Sequence, residues 1–280
     1  MNTKSYFKYY IASFCLAFSV LFIIFLIMTS SKFNINHLTP DYPQNNVYLP
    51  DKNDNFTFLL GISENKSDLP FDFFLINFNV SQGNIPIINL PFNLYIKSKD
   101  STLGEIFAEK GFDEVKNSLE NLTEQSISKY ICLNKATLEY ITSLCGNIKI
   151  NLPYKIRLPN QIILKEGEQL LNGGFIFEIL NNHKNYKTNI SSEIISQIVN
   201  ITFPLFPSGK GERIFNFTVN NCYSNISYKD FQKILNSVEF LVKLNSTPAF
   251  PLTLTGKHKN DVFYFDDFSL KSLKEIISQS

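Results

Sequence analysis

This 280-residue chain has no tryptophan, only two methionines and four cysteines. Only two arginines, Arg157 and Arg213, stand against a crowd of lysines. The net charge is +1, with 26 basic and 25 acidic residues, which excludes strong electrostatic capture of nucleic acid. The cysteines make no CxxC and no metal-ligand spacing. Cys15 lies in an apolar run. Cys132, Cys145 and Cys222 leave at least one thiol unpaired; a Cys132–Cys145 bridge is open, and small buried hydrophobes is the plainer expectation. Also missing are a P-loop, GxSxG, HExxH and a Gly-rich dinucleotide fingerprint, so the common nucleotide, hydrolase and zinc-protease classes fall away. Nine Asn-x-Ser/Thr triplets follow from the abundance of asparagine and, several of them lying in apolar stretches, do not read as glycan sites.

What is present begins with one long hydrophobic run. Ile11–Met28 holds no charge and no proline, and with Phe7, Tyr9 and Tyr10 it reaches roughly 20 residues, the span of a bilayer core. Lys4 and Lys8 precede it, which favours the N-terminus inside. A cleaved signal peptide would have a shorter apolar core and a small-x-small site. The expected organisation is therefore a cytoplasmic tail at 1–8, a single transmembrane anchor at 9–29, a polar, proline-bearing stalk at 30–54, and one extracytoplasmic domain at 55–280.

Within that domain, Phe56–Gly61, Asp72–Val80 and Asn84–Leu90 read as strands, the last two joined by the turn Ser81-Gln82-Gly83. Leu103, Ile106, Phe107, Val115, Leu119 and Leu122 mark a helical stripe that Gly111 interrupts. Tyr130–Leu133, a short helix ending at Gly146, and Ile148–Leu152 look like a βαβ unit. Further helices are expected at Glu168–Asn181, Ser192–Phe203, Tyr228–Leu244 (with Ser227 and Asp230 as a capping box) and Leu270–Ser278, and Ser208–Gly211 as a surface turn. The alternation predicts an α/β fold, a mixed central sheet flanked by helices.

The order of these blocks resembles the LytR-CpsA-Psr family. Asp72–Tyr95, with Leu90-Pro91-Phe92-Asn93, is similar to that family's opening strands and Leu-Pro-Arg-Asp end; Ser128–Pro153, Leu164–Gly173 and Leu252–Gly256 with Tyr264 and Asp266 resemble its later blocks. The resemblance implies an α/β/α sandwich behind a membrane anchor, and a phosphotransferase that moves a glycopolymer from a polyprenyl-pyrophosphate carrier to peptidoglycan, using Mg²⁺ and arginines. Those groups suit the task because a transferring pyrophosphate spreads charge over several oxygens.

The departures fall on that chemistry. Asp72 matches the first acidic ligand and is the one candidate metal residue. Phe92 and Asn93 stand where the resemblance implies Arg-Asp, and Asn181 and His183 where it implies Arg-x-Arg. No arginine lies between Arg157 and Arg213. Lys97, Lys99, Lys184 and Lys187 lie nearby but offer point charges rather than a bidentate fork. The expectation is a protein of the cell envelope that has lost transfer and binds a polyprenyl-linked glycopolymer intermediate or an envelope partner. An active Mg²⁺-dependent enzyme and a module with a filled pocket remain as rivals. The resemblance places the prenyl pocket along Leu103, Ile106, Phe107, Leu119 and Leu122.

Overall fold

A computed structural model describes residues 48–66, 68–182 and 190–278. The expected anchor, stalk residues 30–47, His183, Lys184 and Lys187 lie outside the described residues. Among the described residues, no helix is long and apolar enough to cross a membrane.

The chain opens with β1 (Phe56–Ile62), β2 (Asp72–Phe78) and β3 (Ile85–Pro91), then a small ribbon of β4 (Tyr95–Ile96) and β5 (Ser101–Thr102) and the helix α1 (Leu103–Thr123). It continues with β6 (Lys129–Leu133), α2 (Lys135–Cys145), β7 (Ile148–Leu152), β8 (Ile156–Arg157), β9 (Ile163–Leu164) and β10 (Gly167–Leu171). Four helices follow: α3 (Gly173–Asn181), α4 (Ile190–Thr202), α5 (Gly209–Asn221) and, after the short β11 (Tyr223–Ser224), α6 (Tyr228–Leu244). The strands β12 (Ala249–Leu252), β13 (Gly256–Lys259) and β14 (Val262–Phe265) and the helix α7 (Asp267–Ser278) complete it.

The main sheet has the order β11-β6-β1-β2-β3-β12 and is mixed: β1 runs antiparallel to β2 and parallel to β6, and β12 runs parallel to β3. All seven residues of β2 are buried, because helices cover both faces. Alternation then sorts the side chains into two cores. Leu59, Phe73, Leu75 and Leu90 pack with α1, α7 and Phe263. Leu60, Phe74, Ile76, Phe78 and Ile131 pack with α2, α3, α4 and α6. The α/β sandwich expected from the sequence is thus present.

Three local expectations need correction. Strand β7 does not return to the main sheet as a βαβ unit; it pairs antiparallel with β10 in a separate ribbon. Its Ile-Lys-Ile-Asn-Leu alternation buries only one face, whereas a strand inside a parallel sheet is buried on both. Residues 168–171, expected as the start of a helix, belong to β10, and α3 begins after Asn172, whose side chain accepts from the Phe175 N–H at 2.9 Å. Ser208–Gly211 is no isolated turn: Ser208 caps α5, a helix that its two early glycines hid. Among the described Asn-x-Ser/Thr asparagines, Asn79 and Asn200 are buried, which leaves no room for a glycan. Cys132, Cys145 and Cys222 are all free thiols, and burial pushes Cys132 up to about 12, so it stays an inert thiol at neutral pH.

The edge of the sheet at β12 is closed by one side chain. Asn200 on α4 donates to the Ala249 carbonyl and accepts from the Ala249 N–H, both at 2.9 Å, as a neighbouring strand would. Asn200→Ala strands both buried backbone groups, so we expect a loss of about 2 kcal/mol, readable by chemical denaturation.

Candidate functional site

Three of the residues singled out by resemblance, Asp72, Phe92 and Asn93, lie at one end of the strands. Asp72 opens β2 opposite Pro91, the last residue of β3, and Phe92 and Asn93 follow directly. Asp72 is fully buried, and its Oδ1 accepts from the Phe73 N–H at 3.1 Å. The Phe92 ring lies over Gly104 in the first turn of α1, so close that a Cβ on Gly104 would sit 2.0 Å from the ring. The Asn93 side-chain amide donates to the Asp261 carbonyl, and the Asn93 backbone carbonyl accepts from the Phe263 N–H at 3.0 Å. Both therefore serve packing: Phe92 seats α1, and Asn93 fastens the β13–β14 hairpin. Asn181 is the exposed last residue of α3. Of the nearby lysines, Lys99 is paired with Glu114 and Lys97 is exposed.

A Mg²⁺ ion takes an octahedron of oxygens. Asp72 is buried with Oδ1 on the Phe73 N–H, and the Asn93 side chain is committed to the Asp261 carbonyl. Among the described residues, no three His, Cys, Asp or Glu side chains come together as a metal-binding group.

The stripe expected to line a prenyl pocket is core. Leu103, Ile106 and Leu119 are buried in the layer shared with α7, with Phe107 and Leu122 packed against it. Phe107 meets Phe112 edge-on at 4.9 Å across the break at Gly111. None of these residues lines the aromatic-walled cavity of this domain.

That cavity, about 410 Å³, lies on the other face of the sheet, between β1, β2 and β6 below and α4, α5 and α6 above. Its wall carries a run of aromatic rings in mutual contact: Phe56–Phe78 stacked at 4.3 Å, Phe78–Phe203 at 5.6 Å, Phe203–Phe206 at 5.4 Å, Phe206–Phe231 at 5.6 Å and Phe231–Phe215 at 4.5 Å. Ile195, Ile198 and Val199 of α4 add a buried aliphatic side. Phe92 does not enter it, so the ring does not plug this space. The segment 203–231 holds the missed residues. Its density of phenylalanine was the available signal, but apolar residues ordinarily mean core, and nothing in a sequence tells a lined void from a filled one.

Polar side chains gather at the mouth. Asn53, Asp54, Asn55, Ser128, Lys129, Asp230 and Lys233 line the cavity and are exposed or half-buried. They surround the start of β1 and β6, the opposite end of the strands from Asp72, because β6 runs parallel to β1 with Lys129 beside Phe58. Lys129 pairs with Asp230 at 2.9 Å. Burial works against ionisation of Asp230, yet hydrogen bonds from Ser227 and Lys129 outweigh it and bring the carboxyl down to about 2. A carboxyl depressed from its ordinary 3.8 stabilises the fold above that value and loses the contribution as pH falls through about 2. The unfolding midpoint of Asp230→Asn should therefore lie below wild type at pH 5 and converge on it as pH falls below about 2.

No family model and no curated protein matches this sequence. Solved structures do match the fold. A protein of Eubacterium siraeum named as a transcription regulator superposes with a TM-score of 0.74 at 22% identity, over 85% of this chain and 96% of that one. Bacillus subtilis TagV gives 0.63 at 18% identity, over 80% and 96%. TagT, solved bound to LIIa-WTA, gives 0.61 at 16% identity, over 80% and 90%. The chain thus has a LytR-CpsA-Psr-like α/β fold. At these identities the likeness is one of fold.

Proposed function

We propose that this chain is an envelope protein, held in the membrane by residues 9–29, whose outer domain binds the prenyl chain of a lipid-linked glycopolymer intermediate without transferring the polymer. The aromatic cavity carries this reading. Its 410 Å³ falls within the range of small-molecule sites, and a wall of contacting phenyl rings and β-branched side chains suits a long, unsaturated hydrocarbon. TagT, of like fold, was solved bound to LIIa-WTA, and a carrier-linked glycopolymer is the class of ligand assigned here. Loss of transfer is supported by Phe92 and Asn93, whose side chains are given to packing where the resemblance implies a phosphate-binding cation and a metal ligand.

The absence of tryptophan offers a direct test. In Phe215→Trp the indole is the sole tryptophan and stands in the cavity wall. Adding a long-chain polyprenyl phosphate should shift its emission to the blue in a saturable way, with no response to a five-carbon prenyl phosphate. An emission spectrum unchanged by the long chain would contradict the reading.

A further inference from the structure

We infer that the aromatic cavity grips at most about four isoprene units of a prenyl chain, so that binding stops improving once the chain passes about 20 carbons. The inference rests on the prenyl reading and adds to it the length of chain that the site measures.

The sheet gives the depth. Successive side chains of a strand point to opposite faces, so the cavity face can be followed at every second residue. On β1, Phe56, Phe58 and Leu60 line the cavity, whereas Ile62, next on that face, does not. On β2, Phe78 and Ile76 line it and Phe74 does not. Ile62 and Phe74 are fully buried in the core layer shared with α2 and α3. The cavity thus runs from the polar mouth to a floor at Leu60 and its neighbour Leu133 on β6, both buried. From Phe56 to Leu60 the strand advances about 13 Å, at about 3.3 Å per residue. An extended isoprene unit, four carbon–carbon bonds long, spans about 4–5 Å, so this depth admits about three units.

The volume gives the same answer independently. An isoprene unit packed at the density of a protein interior needs roughly 110 Å³, so 410 Å³ takes about three to four units. Further units would have to push past the floor. There they meet Ile62 and Phe74, whose close packing leaves nothing to fill and resists displacement. A carrier of 55 carbons therefore leaves most of its chain outside the cavity. Those outer units gain no contact with the ring wall and add nothing to affinity. A chain of 10 carbons has the opposite fault: it leaves part of the wall without partner atoms and forfeits their dispersion contacts.

The test loads the full wild-type chain, in mild-detergent micelles, with a 55-carbon polyprenyl phosphate and titrates it with prenyl phosphates of 10 and 20 carbons. Native mass spectrometry reads which lipid stays bound. We expect the 20-carbon lipid to displace half of the 55-carbon one at no more than about threefold excess in mole fraction, and the 10-carbon lipid to need at least about tenfold more than the 20-carbon one. A 20-carbon lipid that needs a larger excess overturns the length limit and leaves the prenyl reading standing. A 10-carbon lipid that competes within tenfold of the 20-carbon one also overturns the limit, because the chain then does not fill the cavity. A protein that takes up no prenyl phosphate of any length overturns the prenyl reading itself, and this inference with it.

Discussion

Gly173→Ala is expected to destabilise the domain by about 3 kcal/mol or more, although it adds a single methyl group. Gly173 opens α3 at the point where that helix crosses α2. A Cβ there would lie 2.3 Å from the Leu138 carbonyl carbon and oxygen and from the Glu139 nitrogen. These are backbone atoms, so no rotamer change relieves the overlap; α3 must move away. That movement also pulls the Gly173 N–H from the Thr142 hydroxyl, now 2.9 Å away, and loosens Ile176, Phe177, Ile179 and Leu180 in the core. For a domain of this size, each kcal/mol corresponds to about 2–4 °C, so the thermal midpoint should fall by about 6–12 °C. Gly209→Ala is the internal control. Gly209 also opens a helix, but nothing lies within 4 Å of its Cβ position, and the midpoint should stay within about 2 °C of wild type.

Val219→Trp should abolish most lipid binding while leaving the fold standing. Val219 lies on α5, half-buried, and faces the cavity. An indole there projects into open space rather than into packed core, so the overpacking cost that governs Gly173 does not apply. Binding suffers instead. Excluding three methylene equivalents of the prenyl chain forfeits about 2.4 kcal/mol at about 0.8 kcal/mol each, or about 50-fold in affinity. The expected result is a thermal midpoint near that of wild type with a dissociation constant for polyprenyl phosphate raised by that factor.

How much of this was legible in the sequence differs between fold and site. The hairpin of β2 and β3, the break of α1 at Gly111 and the capped start of α6 at Ser227 are local, written in runs of apolar residues, one glycine and one capping pair. The structure shows each of them. The pairing of β7 is not local: its partner β10 lies fifteen residues on, across two short strands, and the βαβ expectation took the nearest alternative. The site was harder still. An amphipathic stripe shows that a helix has an inner face, but not which face of the sheet it meets or whether that layer is filled. Leu103 and Ile106 meet a filled layer, and Ile195 and Ile198 a lined void. Side chains matched by resemblance also carried no guarantee of role. Phe92 and Asn93 hold their places in the order of elements, yet one seats a helix and the other fastens a hairpin.

The central claim is that the cavity between the sheet and α4–α6 takes a prenyl chain. Its most direct test is the lipid that accompanies the full chain out of a membrane. Wild type and Val219→Trp, extracted in mild detergent and purified in parallel, would be analysed for bound polyprenyl species by mass spectrometry. The account predicts a polyprenyl phosphate or pyrophosphate lipid on the wild-type protein and at least a tenfold smaller amount on Val219→Trp. Wild type free of polyprenyl lipid, or equal amounts on the two proteins, would contradict it.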